Sequence, residues 1–204
     1  MLKVSGGIAN ETIKNRLLYD AAKFGITYTE NLEDFYAAFM KGSTDAKNNE
    51  DITKSYQALK ALAKGNPSPK FVNYENNAGG TASLDDLKGK YVYIDVWATW
   101  CPPCLAEIPS LQKLEKDYHD KNIQFVSISV DKRDDYFTWT DMIEEKNLGG
   151  LQLYANEDKT FSEAYRISSI PRFILVDPEG NLVSADAPRP SDPKLVELFS
   201  SLGI

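Results

Sequence analysis

The stretch Cys101-Pro102-Pro103-Cys104 holds both cysteines of the chain. It stands where an apolar run, Tyr91-Val92-Tyr93-Ile94-Asp95-Val96-Trp97, gives way to a helix-compatible segment. No other feature of the 204 residues restricts the fold as much. One helical turn brings positions i and i+3 to the same side, so the two sulfurs can meet and close a small ring. A thiol at a helix start has a lowered thiolate pKa, because unpaired amides and the macrodipole stabilise negative sulfur. The pattern points to a reversible dithiol/disulfide switch at a strand-to-helix junction.

The inventory of ligands weighs against other uses of the pair. A structural zinc takes four ligands and an iron–sulfur cluster four thiolates, whereas this chain offers two thiols and one histidine, His119. A structural disulfide gains most by closing a long loop, and this one would close a short one. Soft thiolates do select Cu(I), so a copper or thiol carrier stays open as an alternative, as does a docking module without turnover. No methionine or histidine adjoins the pair, and no resident metal or cofactor is expected.

Charge narrows the partners. A formal net charge of −7 argues against nucleic acid or an anionic membrane surface. No apolar run approaches the eighteen or so residues of a spanning helix. No secretory leader is legible in Met1–Asn10; that opening fits the edge of a longer protein as well, so it does not decide the compartment.

The chain changes grammar near residue 66. Residues 1–66 read helical throughout, with apolar stripes at Ile13, Leu17, Leu18, Ala21 and Phe24, at Leu32, Phe35, Tyr36, Phe39 and Met40, and at Ile52, Tyr56, Leu59 and Leu62. Thr29 is the expected N-cap of the second helix and Gly42 its stop. Gly65 with Pro67 and Pro69 is expected to end the third helix and mark the boundary. From residue 67 to 204 strand and helix alternate: strands at 91–97, 123–130 and 151–154, helices at 105–121 and 134–147, and a helical turn at 161–165. A hairpin of 173–177 with 182–183 about Pro178-Glu179-Gly180-Asn181 follows, then a closing helix at 193–202. The fold class is α/β: a central mixed sheet flanked by helices, preceded by a small all-helical segment.

With these elements in place, residues 67–204 resemble the thioredoxin superfamily, and within it the TlpA/ResA-like thiol-disulfide oxidoreductases of the bacterial cell envelope. The resemblance is carried by Trp97-Ala98-Thr99-Trp100-Cys101-Pro102-Pro103-Cys104, then Glu107-Ile108-Pro109, then Ile170-Pro171-Arg172-Phe173 with Asp177 and Gly180. It implies a thioredoxin-like fold and an enzyme that exchanges disulfides with other proteins' thiols in the periplasm or envelope, fed by an upstream redox donor. A thiol peroxidase would keep its cysteine in a Pro-x-x-x-Thr-x-x-Cys setting, which this chain lacks.

Each carried residue has its own physical reading. Cys101 is the candidate nucleophile, nearest the helix amides and solvent, and Cys104 the resolving thiol. Pro103 sits in a first turn where a missing N–H costs nothing, and Pro109 should kink the helix. Trp100, Pro102 and Pro103 would border the substrate.

Asp95 interrupts a strand expected to be buried on both faces, where a carboxylate is costly. The resemblance makes it the proton acceptor for Cys104, against the alternative of an exposed position on an edge strand. Glu107, three residues after Cys104, would line the active-site cavity by the same resemblance, or would simply be a favourable acid in a first helical turn. Ile170-Pro171 is expected to be cis by resemblance and to present the Ile170 backbone to an extended substrate segment, although a trans proline at a strand start is the commoner arrangement. Arg172 departs from the usual threonine or serine; it would stabilise the Cys101 thiolate or hold an acidic substrate. Without a basic residue inside the Cys101–Cys104 loop, the direction expected is reduction.

Overall fold

The computed structural model describes residues 10–204. The reading of Met1–Asn10 therefore lies outside the described residues, Asn10 excepted. The chain divides into two compact units, one ending at Leu62 and the other beginning at Ala63.

The first unit has three helices, α1 (Glu11–Gly25), α2 (Leu32–Gly42) and α3 (Ala46–Ala61). Each is capped by a side-chain oxygen accepting an early amide: Asn10 from Ile13, Asn31 from Asp34 and Asp45 from Asn48, which satisfies donors that would otherwise lack a partner. Leu18, Ala22, Ile26, Phe39 and Ile52 form the core. The sequence placed the α2 cap at Thr29. The cap is Asn31, because the Thr29 hydroxyl is engaged instead by the Asn31 backbone. The apolar stripe of α1 is also rotated from its expected position. Leu18, Ala22 and Ile26 go inside, while Ile13, Leu17 and Phe24 stay exposed.

The second unit is built on a seven-stranded sheet. Its strands are β1 (Tyr74–Asn76), β2 (Thr81–Ala82), β3 (Tyr91–Trp97), β4 (Ile123–Ser129), β5 (Leu151–Tyr154), β6 (Arg172–Val176) and β7 (Leu182–Ser184), in the order β2-β1-β5-β4-β3-β6-β7. Strands β3, β4 and β5 are parallel, and the outer pairings are antiparallel. Helices α4 (Pro102–Asp117) and α5 (Tyr136–Glu145) make the crossovers between the parallel strands, with a short 3-10 turn over Arg133–Asp135 ahead of α5. A short helix α6 (Thr160–Ala164) and a closing helix α7 (Pro193–Ser201) complete the unit.

The core gathers around β3, which is paired on both sides. Tyr93 stacks on Phe173 and meets Phe125 and Phe199 edge-on, joined by Leu111 and Leu114 of α4 and Leu195 of α7. Its hydroxyl donates to the Pro188 carbonyl at 2.7 Å, so the ring is buried with its polar atom satisfied. Among the described residues no helix is long and apolar enough to cross a membrane.

Two features were not legible in the sequence. The β1–β2 hairpin, turning through Gly79 and Gly80 at positive φ, consists of strands too short to show a period. Helix α3 ends at Ala61, before Gly65, because the residues that follow run along β7. The Gly65 amide donates to the Leu182 carbonyl and the Leu182 amide to the Asn66 carbonyl. Pro67 bridges Asn181, and the Ser68 amide donates to the Gly180 carbonyl.

Candidate active site

Helix α4 begins at Pro102, three residues before its expected start, because Pro102 and Pro103 occupy its first positions, where no amide partner is needed and φ is already helical. Pro109 lies inside the helix, which continues to Asp117. Cys101 is the N-cap residue, and its sulfur accepts from the Cys104 amide at 3.3 Å. The two cysteines are joined as a disulfide with their Cα atoms 5.3 Å apart. Each residue is only 3% exposed, so in this oxidised state solvent access does not tell the two sulfurs apart. What distinguishes Cys101 is its place at the helix amides. Trp100 beside it is 58% exposed, and Pro102 and Pro103 are exposed as well.

The Ile170–Pro171 bond is cis, and Ile170 packs against the apolar cluster that contains Cys101, Cys104, Trp97 and Trp139. The structure thus brings Ile170 and the cysteine pair together. Pro171 and Arg172 follow, both half-buried. The Arg172 guanidinium is paired with Asp186, its Nη1 lying 3.1 Å from Asp186 Oδ1.

Asp95 is buried in the middle of β3, 7% exposed, with Oδ1 lacking a hydrogen-bond partner. It lies under α4, lining a small pocket with Ile108 and Leu111, residues four and seven positions after Cys104 and so on the same helix face. Burial pushes its carboxyl up to about 8, and the negative charges of Glu107 and Glu115 add to the effect. Glu107 is buried too, but its carboxylate is held by Ser191, whose amide and hydroxyl donate to it at 3.0 and 2.9 Å. It clasps α4 to the segment ahead of α7 and acts on Asp95 through its charge.

Two carboxylates escaped the sequence reading. Asp131, fully buried just after β4, accepts from the Thr99 amide at 3.1 Å, the Thr99 hydroxyl at 2.8 Å and the Ser129 hydroxyl at 2.7 Å. It fixes the loop that delivers Cys101, and the signal for it was an acid closing an apolar strand, as with Asp95. Glu115, half-buried on α4, is pushed up to about 7 by burial. It was masked by its place among the polar residues of a helix that looked amphipathic.

The sequence matches the Redoxin family over residues 63–198. It is 27% identical over 128 residues to the thiol-disulfide oxidoreductase ResA of Bacillus subtilis, covering 63% of this chain and 69% of that protein. Among solved structures, a candidate thiol-disulfide oxidoreductase from Bacteroides vulgatus is 51% identical, with a TM-score of 0.60, over 70% of this chain and 92% of that one. The thioredoxin domain of another thiol-disulfide oxidoreductase from the same organism is 31% identical, with a TM-score of 0.60, over 69% of this chain and 98% of that one. The family match over two thirds of the chain, these relatives and a disulfide at a helix N-terminus on a mixed sheet together place the chain: it belongs to the Redoxin family and is a TlpA/ResA-like thiol-disulfide oxidoreductase of the thioredoxin superfamily.

Proposed function

We propose that the protein reduces disulfides of other proteins in the bacterial cell envelope, drawing electrons from an upstream thiol donor. The reading rests above all on the Cys101–Cys104 disulfide at the start of α4 with a buried acid, Asp95, beneath the same helix. Cys101, as thiolate, attacks a substrate disulfide and forms a mixed disulfide; one substrate sulfur leaves as thiol. Cys104 then loses its proton to Asp95 and attacks Cys101. The Cys101–Cys104 bond forms, the bond from Cys101 to substrate breaks, and the second substrate sulfur leaves. Two electrons pass from the protein's dithiol to the substrate, and the donor later restores the dithiol. The Ile170 backbone would pair with an extended substrate segment, bordered by Trp100, Pro102, Pro103 and Pro171. The envelope setting follows the resemblance to ResA-type proteins.

The test is insulin reduction with dithiothreitol as electron source. The protein should accelerate insulin precipitation, and Cys101→Ser should be no faster than dithiothreitol alone. Equal rates with and without the protein would remove the reading.

A further inference from the structure

Glu115 is a half-buried carboxylate for which the reaction above has no use. Cys104, Ile108, Leu111 and Glu115 recur at helical spacing along one stripe of α4, so Glu115 lies about 16 Å along the helix from the dithiol. The pocket beneath this stripe is lined by Asp95, Trp97, Ser127, Gln152 and Glu115 and measures about 10 Å³, close to the room one water needs. Asp95 Oδ1, Trp97 Nε1 and Gln152 Oε1 are all buried without a hydrogen-bond partner. Ile108, Leu111 and Leu148 line the same space; two acceptors and a donor among its lining residues can hold one bridging water.

The far end of the pocket is shaped around the Glu115 carboxylate. A Cβ on Gly149 would sit 2.5 Å from Glu115 Oε2, and one on Gly150 2.8 Å from Oε1. Both glycines are exposed, so the carboxylate rests against backbone that faces solvent. A Cβ at either position would require the Glu115 carboxylate to shift.

We propose that Glu115 is the proton outlet of Asp95, carrying the proton taken from Cys104 out at the Gly149–Gly150 end of the pocket. The proposal rests on the assignment of Asp95 as proton acceptor. In the resolving step, Cys104 gives its proton to the Asp95 carboxylate as the Cys101–Cys104 bond forms. Asp95 must lose that proton before the next cycle, while a substrate lying over Trp100 and Ile170 covers the near side.

The groups facing Asp95 fit this role. From α4 come Glu107, engaged by Ser191, and Glu115; from β4, β5 and β6 come Ser127, Gln152 and Phe173, which do not titrate. Burial holds Glu115 near 7 and Asp95 near 8, so a proton moves between groups of similar affinity.

The experiment measures repeated turnover, the reduction of oxidised glutathione with dithiothreitol between pH 6 and 9, and beside it single glutathione release from a Cys101–glutathione mixed disulfide by stopped-flow fluorescence. Glu115→Gln should turn over about tenfold more slowly while its single release event is less affected, and the Asp95 carboxyl, followed by carbon NMR in the oxidised protein, should titrate at a lower pH than in the parent. Glu115→Asp should recover part of the rate. In an Asp95→Asn background, Glu115→Gln should have no further effect. A Glu115→Gln protein with the parental profile overturns the outlet, as does an effect that persists undiminished without Asp95. A parental release rate in Asp95→Asn alone strikes instead at the assignment of Asp95, so the two failures are told apart.

Discussion

Asp95 of β3 stands opposite Ser127 of β4 in the parallel ladder, so the residue paired with this buried carboxylate brings no positive charge. On its other side it faces Phe173 of β6. The charges that reach it, Glu107 and Glu115, are acidic. Burial and repulsion therefore act in one direction, and the proton is held to about pH 8.

That has a consequence for stability. An acid whose folded pKa exceeds its unfolded value, about 3.9 for aspartate, binds its proton more tightly in the folded state. Its contribution is fully present below about pH 4 and is lost as the pH rises toward 8. Asp95→Asn should differ little from the parent near pH 4 and be more stable by on the order of 2 kcal/mol at pH 8. Urea denaturation of both proteins at the two pH values checks this; a gap that does not widen with pH contradicts it.

The same substitution should slow chemistry. With the acceptor for the Cys104 proton gone, release from the Cys101 mixed disulfide should fall by about a hundredfold near pH 9, where Asp95 is ionised, while the fold persists. Stopped-flow release with matched circular dichroism separates the two effects.

Cys101 should be the reactive thiol. Its sulfur caps α4 and accepts the Cys104 amide, so its thiolate is favoured. At limiting iodoacetamide and neutral pH the reduced protein should be alkylated at Cys101 at least about tenfold faster than at Cys104. Peptide mapping reads the ratio, and equal labelling rejects the order.

The couple should be reducing. The guanidinium nearest in sequence to the cis proline, Arg172, is engaged with Asp186, and the loop between the cysteines holds only prolines. A moderately stabilised thiolate leaves the reduced form less favoured. The potential is expected nearer about −270 mV, as in thioredoxin, than about −120 mV, as in DsbA. Trp97 and Trp100 flank the pair and should report a glutathione titration; a value above about −180 mV, that of protein disulfide isomerase, reverses the direction.

Asp131 should matter for stability more than its distance along the chain from the cysteines suggests. Asp131→Ala strips partners from the Thr99 amide and from the Thr99 and Ser129 hydroxyls. A loss of about 3 kcal/mol is expected, measured by denaturant unfolding of the oxidised protein.

Much of this was readable in advance, and particular residues show why. The strand from Tyr91 to Trp97 announced itself because burial on both faces forces a continuous apolar run, and Asp95 stood out against it. The strand at Leu151–Tyr154 was also placed to the residue. The Asn31 cap was missed because Thr29 and Asn31 are both good capping residues, and only the chain's approach to α2 selects between them. Asp131 and Glu115 were not legible because their significance is spatial. Asp131 acts on Thr99, 32 positions away, and Glu115 acquires its setting from Gly149 and Gly150, on a different element. Arg172 was legible as unusual, but its partner, Asp186, is contributed by a turn beyond β7.

The backbone pairing of Gly65 and Asn66 with Leu182 reaches beyond the placement of a domain boundary. An outermost strand with free amides and carbonyls is a template onto which another polypeptide can add itself. Strand β7 ends the sheet, yet the amide and carbonyl of Leu182 are already taken by Asn66 and Gly65. Pro67, which has no amide to offer, lies against Asn181. A catalytic fragment begun after Asn66 would keep its cysteines, its buried acids and its chemistry, and would leave the amide and carbonyl of Leu182 open. Those few residues have nothing to do with electrons; they occupy an edge onto which another chain could otherwise add a strand.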